Sequence, residues 1–450
     1  MPARLPGPIF ASMPGDARSS LHRVLIAGGG VAALEVALAL RRLVGDRLEV
    51  ELMSPQPAFR HRPLSVAEPF GLGVAESMDL EGFAADHGFG FRLGALASVD
   101  PGRGEVRTAA GDTLPYDALV VALGAEAGPA LPGALTFRGH EDVGAMRDLL
   151  GDLDRGAVRR IAFVLRPRAS WPVPLYELAL MWAARLRERG GDGEVTVVTH
   201  EGAPLDLFGP RASAAVARML EEAGVVVATR RYATGFEDGV LRWSQSGALA
   251  VDRVVALPQL EGRRVAGLPH DVEGFLPTDL HGRVRGVSDV YAAGDVTSFP
   301  IKQGGLAAEQ ADAAAESIAA WAGVALTPTP FRPVLRGKIL TGGAPLYVRA
   351  DPAGGRGDVS DVSLRPLWWP PTKVAGRFLA PALAGAGVEP SPPLLPGVTP
   401  LAVQVDLEEM LMPTVEAESQ QIEREAVSHA TKPGAGETSS STAPGTTRPT

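Results

Sequence analysis

His22-Arg-Val-Leu-Ile-Ala27 runs into Gly28-Gly29-Gly30, and Val31-Ala-Ala33-Leu-Glu35 then opens an apolar run that continues to Leu43. Six residues of strand character end at glycine and helix formers begin at once, so the stretch predicts a β-turn-α unit. The spacing Gly28-x-Gly30-x-x-Ala33 gives each small residue a task. Gly28 makes the tight turn, Gly30 lets the backbone approach a pyrophosphate, and Ala33 allows close packing of the helix on the strand. The helix N-terminus behind the turn attracts negative charge. A glycine-rich turn with no ligand would read the same way, so the motif alone leaves the matter open. Leu48 to Met53 predicts the next strand. An Asp or Glu at its end would hold an adenosine ribose, but Ser54 stands there, and this half leaves the type of nucleotide open.

Further along, strands and a hairpin are expected around 90–108, and Ala118 to Leu123 predicts a strand ending at Gly124. A second unit begins near Val158. It predicts strand Ile161 to Leu165, a Pro-rich turn, a helix from about Leu175 to Arg189 and strand Glu194 to Thr199. Helix Arg211 to Ala223 and strand Val225 to Ala228 complete it. The alternation predicts an α/β fold of two tandem Rossmann-like dinucleotide-binding units, each a parallel sheet with helices on its faces. The chain then returns to strand Asp289 to Ala293, closed by Gly294-Asp295, and to an Ala-rich helix from about Gly305 to Trp321.

The 450 residues are enough for two or three domains, and 45% hydrophobic with 21% charged residues leaves ample apolar surface to bury. A net charge of −9 argues against a nucleic-acid footprint, which needs clustered Lys and Arg. The absence of cysteine excludes disulfides, thiolate zinc sites, iron–sulfur clusters and redox-active thiols; no metal site is indicated. Residues 1–20 lack the apolar core of a signal peptide, and no apolar run is long enough to span a membrane, so a soluble cytoplasmic protein is expected. Residues 413–450 are Glu, Ser, Thr and Pro-rich and are expected to be disordered, as are residues 1–20.

Val290-Tyr-Ala-Ala-Gly-Asp295 resembles the flavin-binding signature of the FAD/NAD-linked reductases, in which the Asp bonds the ribityl chain of FAD. With Gly28 to Glu35, Arg62-Pro-Leu-Ser65, Tyr116-Asp-Ala-Leu-Val-Val-Ala-Leu-Gly124 and Tyr291 to Glu309, the resemblance covers most of the chain to about Ala320. The chain is similar to the pyridine nucleotide-disulfide oxidoreductase superfamily. Within it, the resembling branch holds type II NADH dehydrogenases, sulfide:quinone reductases and flavocytochrome c sulfide dehydrogenase flavoproteins. The resemblance implies bound FAD and a split FAD domain, 21–145 and 271–322. An NAD(P)-like unit, 155–270, is inserted between the halves, and a C-terminal region, 323–412, follows. It implies that Arg62 lies near the FAD pyrophosphate and that Gly304, Gly305 and Leu306 open a helix toward the pyrimidine end of the ring. It makes Lys302 the candidate cation for negative charge at N1. Glu177, in Tyr176-Glu-Leu-Ala179, would face N5 and relay a proton. A surface arginine, a solvated loop lysine and a helix-surface glutamate are the alternative readings of Arg62, Lys302 and Glu177.

The sequence departs from that pattern twice. Arg166-Pro-Arg-Ala-Ser-Trp-Pro-Val-Pro174 contains no glycine, so a backbone cradle for NAD pyrophosphate is not encoded in the usual way. Arg166 or Arg168 binding phosphate by side chain, and Glu201 reaching a ribose, keep NAD(P)H open. The missing cysteine excludes sulfide oxidation through a cysteine persulfide. Leu367 to Pro381, with Trp368 and Trp369, reads either as a covering or dimer-interface segment or as a membrane-interface or quinone-lined one. The expected function is an FAD-dependent oxidoreductase passing electrons from a small-molecule donor, NAD(P)H among those open, to a quinone or other small acceptor. A flavin sensor or electron carrier without turnover, and a membrane-peripheral quinone reductase, are the alternatives. A homodimer and peripheral membrane contact stay open.

Overall fold

The computed structural model describes residues 21–167, 171–244, 246–351 and 360–384; the termini expected to be disordered lie outside these residues. The first unit contains β1 (His22–Ala27), α1 (Val31–Val44), β2 (Leu48–Ser54), β3 (Gly90–Leu93) and β4 (Ala118–Val121). The second contains β5 (Leu135–Thr136), β6 (Arg160–Leu165), α2 (Val173–Glu188), β7 (Glu194–Thr199), α3 (Pro210–Glu222), β8 (Val225–Ala228) and β9 (Arg253–Ala256). The chain then rejoins the first unit with β10 (Val290–Ala292) and α4 (Gly304–Trp321).

The first sheet has the order β10-β4-β1-β2-β3 with every pair parallel. Buried on both faces, such strands need continuous apolar sequence, and Val24, Leu25, Ile26 and Ala27 are completely inaccessible. Fully burying a side chain the size of Leu25 or Ile26 contributes about 1.5–3 kcal/mol. One face carries α1 and α4, whose alanines (Ala33 and Ala37; Ala307, Ala311 and Ala314) share one apolar cluster. Small side chains let two helices lie close together on a sheet. The other face is covered by Tyr116, Val265, Leu268 and Leu276.

The second sheet, β5-β9-β6-β7-β8, is also parallel throughout. The segments entering and leaving it, Ala125–Gly128 and Gln259–Gly262, pair with each other antiparallel. Element identities follow the sequence pattern, with ends moved by one or two residues. The pattern did not specify the C-terminal part. It folds as an antiparallel meander of β11 (Leu335–Ile339), β12 (Leu346–Ala350) and β13 (Ser360–Ser363), then runs irregularly to the short helix α5 (Leu379–Ala384). In that irregular stretch Trp368 packs edge-on against Tyr347, 5.3 Å between centroids, and its Nε1 donates to the Thr372 carbonyl at 2.9 Å. Trp369 is 65% exposed. Among the described residues no helix is long and apolar enough to cross a membrane.

Candidate functional site

The turn between β1 and α1 depends on three different properties of its glycines. Gly28 has φ +138°, its N–H donates to the Met53 carbonyl at 2.8 Å, and a Cβ there would lie 2.2 Å from the Ala122 carbonyl oxygen. A Cβ on Gly29 would meet Ser54 Oγ at 2.4 Å. Gly30 differs, because a Cβ there would find no atom within 4 Å. The first intrahelical bond of α1 runs from Leu34 N–H to the Gly30 carbonyl at 3.1 Å, so the amides of Val31, Ala32 and Ala33 have no intrahelical partner. Open space in front of free, positively polarised amides is the environment a pyrophosphate needs. Ser54 is buried, with its hydroxyl bonded to the backbone of Gln56 at 2.9 and 3.1 Å.

The second motif lies against the first. Gly294 has φ +84°, and a Cβ there would sit 3.1 Å from that of Ala32 in α1; its N–H donates to Gln310 Oε1 at 2.7 Å. Asp295, next in the chain, is half-buried, and among the described residues no hydrogen bond reaches its carboxylate. Burial raises its pKa, against the opposing fields of Lys302 and Arg62. Lys302 is buried, donates to the Thr297 carbonyl and lies 3.8 Å over the Phe275 ring. Burial lowers its pKa to about 8, partly offset by Asp295 and Asp271. Arg62 is largely exposed, 4.0 Å from Glu141. Gly124 has φ +69° and open space beside it. At the start of α4, Leu306 N–H donates to Gln303 Oε1 at 2.8 Å, leaving Gly304 and Gly305 as the amides without such a cap. An open cradle, free helix amides and a carboxylate lacking a donor, brought together from opposite ends of the chain, fit an FAD molecule.

Glu177 occupies neither helix surface nor solvent. It is completely buried and accepts from Lys373 Nζ at 2.5 and 2.7 Å and from Leu340 N–H at 2.8 Å. Burial pushes its pKa up and that of Lys373 down, and each opposes the shift in the other. Lys338 adds a second cation nearby, bonded to the Pro371 carbonyl at 2.9 Å. Around Glu177 on α2, Leu175, Tyr176 and Leu178 share an apolar cluster with Leu306, and Phe299 and Ile301 pack against it. The segment that leads into α4 and this helix therefore contribute to the same apolar core.

Three engaged groups were not singled out in these roles from sequence. Lys373 comes from the irregular C-terminal stretch. Glu35, completely buried in α1, accepts from the N–H groups of Phe378 and Leu379 at 2.7 Å each, and burial raises its pKa to about 7. The lone acidic residue in Val31-Ala-Ala-Leu-Glu-Val-Ala-Leu-Ala-Leu40 is the signal that could have marked it. Glu201, read as a residue that could reach a ribose, is turned inward and accepts from Tyr176 OH at 2.5 Å and Thr199 Oγ1 at 2.9 Å.

The family described as pyridine nucleotide-disulphide oxidoreductase matches residues 22–164 and 176–317. Among solved structures, sulfide:quinone oxidoreductase from Aquifex aeolicus is similar at 20% identity and a TM-score of 0.70, covering 76% of this chain and 87% of that one. A ferredoxin reductase from Rhodopseudomonas palustris is similar at 21% identity and a TM-score of 0.57, covering 74% and 83%. NDH2 from Plasmodium falciparum, in complex with NADH, is similar at 16% identity and a TM-score of 0.51, covering 62% and 64%. At these identities the likeness to solved structures is one of fold.

Proposed function

The chain belongs to the pyridine nucleotide-disulphide oxidoreductase family and is an FAD-dependent oxidoreductase, and from that premise we propose that it passes electrons from a small-molecule reductant to a quinone or another small acceptor. The sulfide:quinone oxidoreductase neighbour, whose name states a quinone acceptor, supports the acceptor class. The lack of any cysteine in this chain rules out a thiol route on the donor side. The observation that carries the reading is the close approach of Gly294 to Ala32, beside the glycine turn of α1, with the next residue, Asp295, taking no hydrogen bond on its carboxylate among the described residues.

Bound FAD supplies the redox chemistry, taking up and releasing electrons at its ring. The chain's own groups bind, orient and manage protons. The amides of Val31 to Ala33 and the open face of Gly30 would hold the pyrophosphate, with the exposed Arg62, whose field reaches Asp295, as the candidate cation. Asp295 would accept from the ribityl hydroxyls, and the Gly304 and Gly305 amides with the Lys302 ammonium would stabilise negative charge on the reduced ring. Glu177 would take up and release a proton at its carboxyl oxygens, with Lys373, 2.5 Å away, favouring the ionised form against the burial that opposes it.

To test this, the purified protein is reduced anaerobically with dithionite and mixed with a water-soluble quinone while flavin absorbance is followed. Reoxidation that saturates with quinone is expected, slowed on the order of 10²-fold in Glu177→Gln. Equal rates in the two proteins would remove Glu177 from the proton path. Bound FAD with no saturable reoxidation by any acceptor would favour an electron carrier without turnover.

A further inference from the structure

The family's name implies a nicotinamide dinucleotide on the second unit, and the residues there do not fit one. In a Rossmann-like unit the first strand-to-helix turn cradles the pyrophosphate on backbone N–H groups, and a carboxylate at the end of the next strand holds the adenosine ribose. The equivalent places are the start of α2 and the end of β7.

At α2 the N-cap is Pro172 and the second helical residue is Pro174, and proline has no N–H to offer. Leu175 N–H already donates to the Pro172 carbonyl at 3.0 Å, so among the described residues only Val173, of the first three helical positions, has an amide without a partner. The first turn of α1 keeps three. The described residues on either side, Arg166, Pro167 and Trp171, are engaged as well. Arg166 Nη1 donates to the Ala130 carbonyl at 2.6 Å, the Pro167 carbonyl accepts from Gln259 Nε2 at 3.2 Å, and the Trp171 ring lies 5.6 Å from that of Phe208. At the end of β7, Glu201 is 7% exposed and its Oε2 is taken by Tyr176 OH and Thr199 Oγ1; Tyr176, from α2 itself, is wholly buried. Burial raises the Glu201 pKa to about 8, which works against the ionised form that would present two acceptor oxygens to a ribose. Arg230 and Arg231 are exposed beside it, which makes a 2′-phosphate the part of a dinucleotide with most to gain here.

We infer that the second unit is closed to nicotinamide dinucleotides: Pro172 and Pro174 offer no N–H at the helix start, Leu175 N–H is engaged, and the chain's own Tyr176 has taken the Glu201 oxygen that a ribose would use. The unit serves as a packed partner for α4 and the C-terminal meander, and the reductant reaches the flavin without an adenosine handle. The test is equilibrium dialysis of the FAD-loaded full chain against NADH and, separately, NADPH, with FAD content measured on the same samples. No saturable binding below about 1 mM is expected for either, against the micromolar to millimolar range ordinary for enzyme substrates. Saturable binding of NADH or NADPH in the micromolar range would overturn the inference. FAD present in stoichiometric amount keeps that result separate from any failure of the flavin reading.

Discussion

Replacing Lys373 with Met keeps most of the buried stem and removes only the charge, so Lys373→Met isolates the ion pair with Glu177. The carboxylate is completely buried, and after the substitution it keeps one donor, Leu340 N–H at 2.8 Å. Removing one partner of a buried pair costs about 3–5 kcal/mol. Glu177 can limit that cost by taking up a proton. From an ordinary value of 4.5, protonation at pH 7.5 costs about 1.4 kcal/mol for each of three pH units, or about 4 kcal/mol. The expected loss is therefore about 3–4 kcal/mol at pH 7.5. Its pH dependence has a definite sign. A carboxyl whose folded pKa is raised contributes stability that is fully present below its unfolded pKa and is lost as pH rises toward the folded one. Without Lys373 to oppose burial the rise is larger, so the deficit against the wild type shrinks by up to about 1.4 kcal/mol per unit as pH falls from 7.5 to 5.5. Equilibrium urea unfolding followed by circular dichroism at pH 5.5, 6.5 and 7.5 measures this. Glu177→Gln with Lys373→Met should recover most of the loss at pH 7.5. A single-variant deficit below about 1 kcal/mol at pH 7.5, or one that does not change with pH, would refute the reasoning.

Gly30→Val should fold normally, because its side chain enters open space at φ −95°, yet retain little FAD after dialysis. Full FAD occupancy in that variant would show that the cradle at α1 is not where the pyrophosphate rests. Glu35, raised to about 7 from 4.5, contributes stability that is fully present below pH 4.5 and is lost as pH rises through about 7. Glu35→Gln should flatten the pH–stability curve across that window, checked by urea midpoints at pH 4.5, 5.5 and 7.5; parallel curves would exclude Glu35 as the titrating group.

The parts legible in sequence share one property: their signal is local. The run His22 to Ala33 encodes strand, turn and helix within a dozen residues, and Val290 to Asp295 does the same for the second motif. The Val, Ile and Leu runs of β1, β4, β6 and β7 marked buried parallel strands for the same reason. What sequence did not disclose depends on contacts between distant residues. Lys373 meets Glu177 across 196 positions, and Phe378 reaches Glu35 across 343. Both lie in an irregular stretch with no hydrophobic period to read. Glu201 misled differently: its place after β7 is right for a ribose ligand, and only the reach of Tyr176 from the facing helix turns it inward. The missing glycine after β6 could be read in advance; the absence of an N–H at the N-cap Pro172 and at the second helical residue Pro174 became decisive once the start of α2 was fixed at Val173.

The insertion also sets the order in which the protein can be made. Strand β4 ends at Val121, and its outer neighbour β10 begins only at Val290, about 170 residues later. At translation rates of about 5–20 residues per second, the growing chain carries β4 with an unpaired edge for roughly 10–30 s. During that interval the whole of the second sheet emerges and can close on itself, with Ala125–Gly128 and Gln259–Gly262 zipping its two ends together. That closure returns the chain to within reach of β4 and converts a very long loop into a short one before β10 arrives. Once the inserted unit has closed, β10 lies within reach of an edge that would otherwise be left open to other chains.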